Sequence, residues 1–65
     1  MKISVVENWG DDPVWSDNAA QIPNVGDRIS LGMKGVAIVL ERNLVLEKLS
    51  PETPDLLLRV KFVSS

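Results

Sequence analysis

Apolar residues recur with a period of two through most of this chain, a spacing that predicts strands and not helices. The plainest segment is the last. Leu56, Leu58, Val60 and Phe62 fall on one face, while Leu57, Arg59, Lys61 and Val63 fall on the other. This alternation predicts a strand over 56–63 with the first set in the core and the second solvated or at an interface. Over 36–49 the even positions (Val36, Ile38, Leu40, Arg42, Leu44, Leu46 and Lys48) are more apolar and larger than the odd ones. The segment reads either as one long strand or as a hairpin turning at Arg42-Asn43. A two-residue hairpin loop favours Gly or Asn-Gly, so one long strand bent by a bulge near Arg42 is the better reading.

Gly and Pro divide the remainder at close intervals, another all-β sign. Lys2–Glu7 is a short β-rich run, broken by the turn formers of Asn8-Trp9-Gly10-Asp11-Asp12-Pro13. Residues 14–22 fit an edge strand, an irregular loop or a single helical turn, with Pro23 limiting the last of these. Pro23-Asn24-Val25-Gly26-Asp27 is a turn in which Pro fixes φ, Gly26 permits a positive φ and Asp27 bonds nearby amides. It leads into a strand near 28–32, and Gly32-Met33-Lys34-Gly35 makes a hairpin loop. Ser50-Pro51-Glu52-Thr53-Pro54-Asp55 is a loop, since two prolines forbid a central strand. The expectation is one all-β domain over 1–65, a four- to five-stranded antiparallel meander. Closing so small a sheet into a barrel would remove its edges.

Composition narrows the picture. A chain of 65 residues buries only about 60% of its unfolded surface and leaves a small margin of stability. It has no Cys and no His, which removes a disulfide scaffold and most zinc and haem sites. No apolar run approaches the ~20 residues of a membrane span, and the N-terminus does not read as a signal peptide. A cytoplasmic protein that forms a complete small gene product is expected. Charge is uneven. Residues 1–27 carry Glu7, Asp11, Asp12, Asp17 and Asp27 against Lys2, a net −4, while residues 28–65 carry a net +2. That asymmetry concerns partners and not fold.

The stretch Ile22-Pro23-Asn24-Val25-Gly26-Asp27-Arg28-Ile29 resembles the Pro-x-Val-Gly-Asp lead-in to a strand in many small bacterial and phage β-barrel proteins. It is similar to the way SH3-like barrels pass from their long first loop into the central strands. The resemblance covers 22–63 and implies an SH3-like barrel with 8–20 as that first loop. It implies no activity, because such barrels host many functions. Tyr is absent, and with it the aromatic ladder of peptide-binding SH3 domains.

Candidate chemistry is sparse. Without His, Cys or Tyr the usual general bases and nucleophiles are missing, and no motif places the lysines or carboxylates for catalysis. A non-enzyme with no cofactor and no metal is expected. Glu7, Asp11, Asp12 and Asp17 do not match the alternating oxygen ligands and Gly of a calcium loop. Trp9 and Trp15 flank the acidic turn, a combination seen at interface anchors. The competing use is to plug one end of a core short of aromatics. Trp15, with Asp12 and Asp17 on either side, reads as the more exposed ring.

Partner-binding residues are therefore expected at Trp9, Asp11, Asp12, Trp15 and Asp17, with the loop 50–55 as a further contact. The partner would be a larger protein with a basic groove, and the chain an accessory adaptor or inhibitor. An alternative nucleic-acid face would use Arg42, Lys48, Arg59 and Lys61. The acidic pI of 4.8, the interrupting glutamates and the lack of interleaved aromatics argue against it and for ordinary cross-strand pairing. A third expectation is self-association through the outer face of 56–63, as a homodimer or structural subunit.

Overall fold

The computed structural model describes residues 1–63 and leaves Ser64 and Ser65 outside the described part. Five strands form: β1 (Lys2–Val6), β2 (Trp15–Asn18), β3 (Arg28–Ser30), β4 (Val36–Leu44) and β5 (Leu56–Phe62). A single 3-10 turn, Gly32–Lys34, joins β3 to β4. The all-β expectation holds, and 14–22 resolves into a short strand followed by a connection. Among the described residues, no helix is long and apolar enough to cross a membrane.

The antiparallel meander does not hold. The strand order is β2-β1-β5-β4-β3, with β1 parallel to β5 and every other pair antiparallel. The physical reason is that Ile3 and Val5 lie opposite Leu56 and Leu58, so the parallel pairing joins two inward apolar rows and puts β5 at the centre of the sheet. It sits between β4, its hairpin neighbour, and the N-terminal strand. The mixed sheet curls into a half-barrel whose concave side holds Ile3, Val5, Ala37, Val39, Leu56, Leu58 and Val60, all essentially sealed from solvent. Each Val, Leu or Ile among them contributes about 1.5–3 kcal/mol on burial, so these few residues dominate stability.

The alternation read in β5 is observed, with Leu56, Leu58 and Val60 buried and Phe62 packed at the margin. In β4 the larger, even set is not the buried one. Val39 lies opposite Val60, and the next pair is Glu41 with Arg59, so a bulge at Leu40 shifts the register. Before the bulge the odd residues Ala37 and Val39 face inward. After it the even residues Arg42 and Leu44 lie opposite the inward-facing Leu58 and Leu56. The bulge near Arg42 is thus present two residues earlier than read. The strand itself stops at Leu44, short of the expected 49.

Turns hold the half-barrel in shape. Asn24 N–H donates to Asp27 Oδ2 at 2.9 Å, and Gly26, at φ +95°, aims its own N–H at the Val39 carbonyl at 2.8 Å. The Lys34 ammonium donates to the Val14 carbonyl, linking the β3–β4 turn to the start of β2. Asp55 ties down the other end. Its carboxylate accepts from the Lys2 backbone N–H at 2.9 Å and pairs with Lys48, and its N–H donates to the Lys2 carbonyl at 2.9 Å. The Lys48 ammonium, then the Lys2 amide, hold this carboxyl below its ordinary pKa.

Candidate interaction site on the outer face

The β1–β2 loop leaves Val6 and turns at once, with Asp11 N–H donating to the Asn8 carbonyl at 3.2 Å and Asn8 Nδ2 donating to Asp11 Oδ2 at 3.3 Å. Glu7 and Asn8 line an open hollow of about 410 Å³ with Leu40, Arg59 and Lys61. Trp9 and Gly10 line the next, of about 490 Å³, with Glu41, Arg42, Asn43 and Leu57. The loop therefore runs across the outer face of β5 toward β4. Trp9 is 45% exposed, a large aromatic that folding leaves in water.

Trp15 corrects the sequence reading. It is the less exposed ring, lying opposite Val5 in the β1–β2 ladder and packing against the core. Antiparallel partners share a face, so Val5 carries Trp15 to the concave side. There it borders an apolar hollow of about 160 Å³ with Ile3, Ile29, Leu31 and Leu58. Asp11 and Asp12 stand exposed on the loop. Asp17 is exposed on the edge strand opposite Ile3 and accepts the Asn18 N–H at 2.7 Å. Of the five residues singled out, Trp9, Asp11 and Asp12 share one loop, Asp17 lies on the edge of the sheet, and Trp15 supports both from inside. Among the described residues, no group of three carboxylates gathers as a metal site would require.

The four cations do not form a stripe. Arg59 pairs with Glu41 across β4 and β5, its Nε 2.5 Å from Oε1. Lys48 is engaged by Asp55 in the loop, and Arg42 donates to Asn24 Oδ1 at 3.0 Å from the opposite parity of β4. Only Lys61 shares the outer face of β5 with Arg59. The fold also seats an aromatic, Trp9, in one hollow with Arg42, a neighbour that linear spacing did not place there. Leu57 and Val63 lie at opposite ends of β5 and form no single patch. Leu57 adjoins Trp9, while Val63 lines a hollow of about 370 Å³ with Ile38, Leu40 and Lys61. The floor residues Glu41 and Asn43 were missed as site residues, while Leu57 was read only as part of an outer apolar face. The outward parity of Leu57 was the available signal.

The fold and site define a small all-β half-barrel that carries a solvent-facing tryptophan on an acidic loop. Comparison with protein-family models, curated proteins and solved structures finds no match.

Proposed function

We propose that this chain is a non-catalytic protein-interaction module, an accessory adaptor or inhibitor that docks on a larger protein through the loop between β1 and β2. The observation that carries the reading is Trp9, 45% exposed on a hydrogen-bonded loop above a hollow floored by Leu57, Glu41 and Asn43. Exposed aromatics in such settings are the residues that most often anchor an interface. Asp11 and Asp12 beside it favour a basic groove on the partner and would speed encounter with it. The mechanism is occlusion of that groove. A likeness to small SH3-like barrels and a cytoplasmic setting belong to the same proposal. The first is supported by the Pro23–Asp27 turn into β3 and the curl of the sheet, the second by a cysteine-free composition.

Quantitative affinity capture from host lysate tests it with the wild type, the double variant Trp9→Ser/Asp12→Asn, and Met33→Ser as a control on the exposed β3–β4 turn. A protein retained by wild type and control but lost from the double variant is expected. Equal retention by all three, or no specific retention by the wild type, overturns the reading.

A further inference from the structure

The two edge strands of the sheet, β2 and β3, border the mouth of the half-barrel, and the apolar hollow of about 160 Å³ beside Trp15 lies between them. Ile3, Val5 and Leu58, each 1% exposed, make its floor. Trp15 walls it on the β2 side, Ile29 and Leu31 on the β3 side. Both ends of the mouth are braced. At one, the Lys34 ammonium donates to the Val14 carbonyl. At the other, the connection from Ala19 to Asp27 crosses between the strands. Its start is bonded to the Met1 carbonyl at 2.9 Å, and its end is bonded to Val39 through Gly26 N–H at 2.8 Å and the Asp27 carbonyl at 2.9 Å. These bonds set the separation of β2 and β3, so the hollow is built into the fold.

Among the described residues, no charged side chain lines it. Asp17 shares that face of β2 but stands exposed outside the hollow, and Arg28 lies on the outer row opposite Ile38. Of the two polar residues that line it, Ser30 lies opposite Val36 and carries its hydroxyl on the outer face, which leaves its backbone and the Gln21 amide at the rim. Water over the aliphatic floor lacks the several polar partners that would hold it, and an apolar group gains by displacing it. We infer that the hollow binds a small neutral aromatic molecule of a single ring. A cavity of about 150 Å³ with similar walls stays dry and admits benzene, whereas drug-sized ligands need about 300–1,000 Å³. The Trp15 indole supplies an aromatic wall, against which a ring packed offset or edge-on gains beyond its buried area. This site opens on the concave side of the sheet, away from the Trp9 loop, and neither reading depends on the other.

Titration of the isotope-labelled full chain with benzene, followed by NMR of its backbone amides, tests the inference. Saturable shifts are expected at Trp15, Ile29 and Leu31, half-complete at about 0.1–1 mM, the range open to a ligand of so few atoms. Trp9→Phe, on the other face, should titrate as the wild type does. Ala19→Leu and Ile29→Phe each add carbon to the lining and should weaken binding by about tenfold or more. A dispersed amide spectrum verifies that each variant is folded. Shifts that do not saturate by about 10 mM benzene, shifts centred on the Trp9 loop, or unchanged binding by a folded Ala19→Leu or Ile29→Phe chain overturns the inference. The wild-type titration decides it even where neither of those two variants folds. Trp9-dependent capture by a chain that takes no benzene would leave the functional reading standing while this one fell.

Discussion

Two valines three residues apart on β4 test the bulge and the register it sets. Val39 is 1% exposed on the concave face and Val36 is 40% exposed on the convex one. Replacing each by Thr keeps the shape and the β-branched backbone preference and exchanges one methyl for a hydroxyl. At Val39 the hydroxyl is driven among Ala37, Leu58 and Val60, where protein data put the cost of an unpaired buried polar group at about 1–3 kcal/mol. At Val36 water can reach the hydroxyl, and the change should fall within about 0.5 kcal/mol. A chain of this length has only about 3–10 kcal/mol of stability, so the first loss is a large share of it. With a urea m-value near 1 kcal/mol/M for so small a domain, Val39→Thr should lower the midpoint by about 1–3 M with the slope unchanged. Val36→Thr should leave the midpoint almost in place. Placing the even residues of β4 inside predicts the opposite order. Equal losses at the two positions, or a larger loss at Val36, would refute the register.

Acrylamide, being neutral, should quench one accessible tryptophan and one protected tryptophan, and Trp9→Phe should remove the accessible component. An unchanged quenching curve in that variant would contradict the placement of Trp9. Asp55 sets a pH dependence. Because folding lowers its pKa, its contribution is present above the unfolded value near 3.9 and is lost as pH falls through the folded value. Urea midpoints of wild type and Asp55→Asn should therefore differ at pH 6 and converge toward pH 2.5; a gap that stays constant across that range would show that the Asp55 charge is not the source. Gly35, at φ +104° and ψ −165°, occupies a region essentially restricted to Gly, so Gly35→Ala should cost about 1–3 kcal/mol by denaturant titration. A neutral result there would mean the turn relaxes into another conformation.

How much of this was legible follows from which signals are local. The alternation in β5 is carried by its own side chains, and Leu56, Leu58 and Val60 read correctly from it. The turn at Pro23–Asp27 is equally local in its sequence signal, since Asp27 accepts the Asn24 N–H within it and Gly26 supplies the positive φ. Strand order is not local. That β1 lies beside β5 and parallel to it depends on contacts more than fifty residues apart, such as Asp55 with Lys2, and no periodicity in either strand records the direction of its neighbour. The inward face of β4 was hidden for a different reason. One extra residue at Leu40 reverses parity, and the apolar residues on both sides of it make either face look suitable. The cation stripe failed because side chains two to nineteen residues apart were assigned to one surface before the parity of β4 was known.

The two tryptophans show the same principle at the site. Both flank the acidic turn, and local composition makes Trp15 the more exposed. Once β2 pairs with β1, Trp15 lies opposite Val5 and must share its inward face, whereas Trp9 precedes the strand and no ladder directs it. The contact surface is then the loop and its floor, with Trp15 as support from within. Trp15→Phe should accordingly lower stability by about 1–2 kcal/mol through lost packing, as large-to-small changes do, while leaving capture of a Trp9-dependent partner at wild-type strength. Titrating retained partner against the fraction of folded chain separates the two effects. Loss of capture by a fully folded Trp15→Phe chain would mean that the Trp15 ring itself reaches the partner, and the edge of β2 with Asp17 would then belong to the interface.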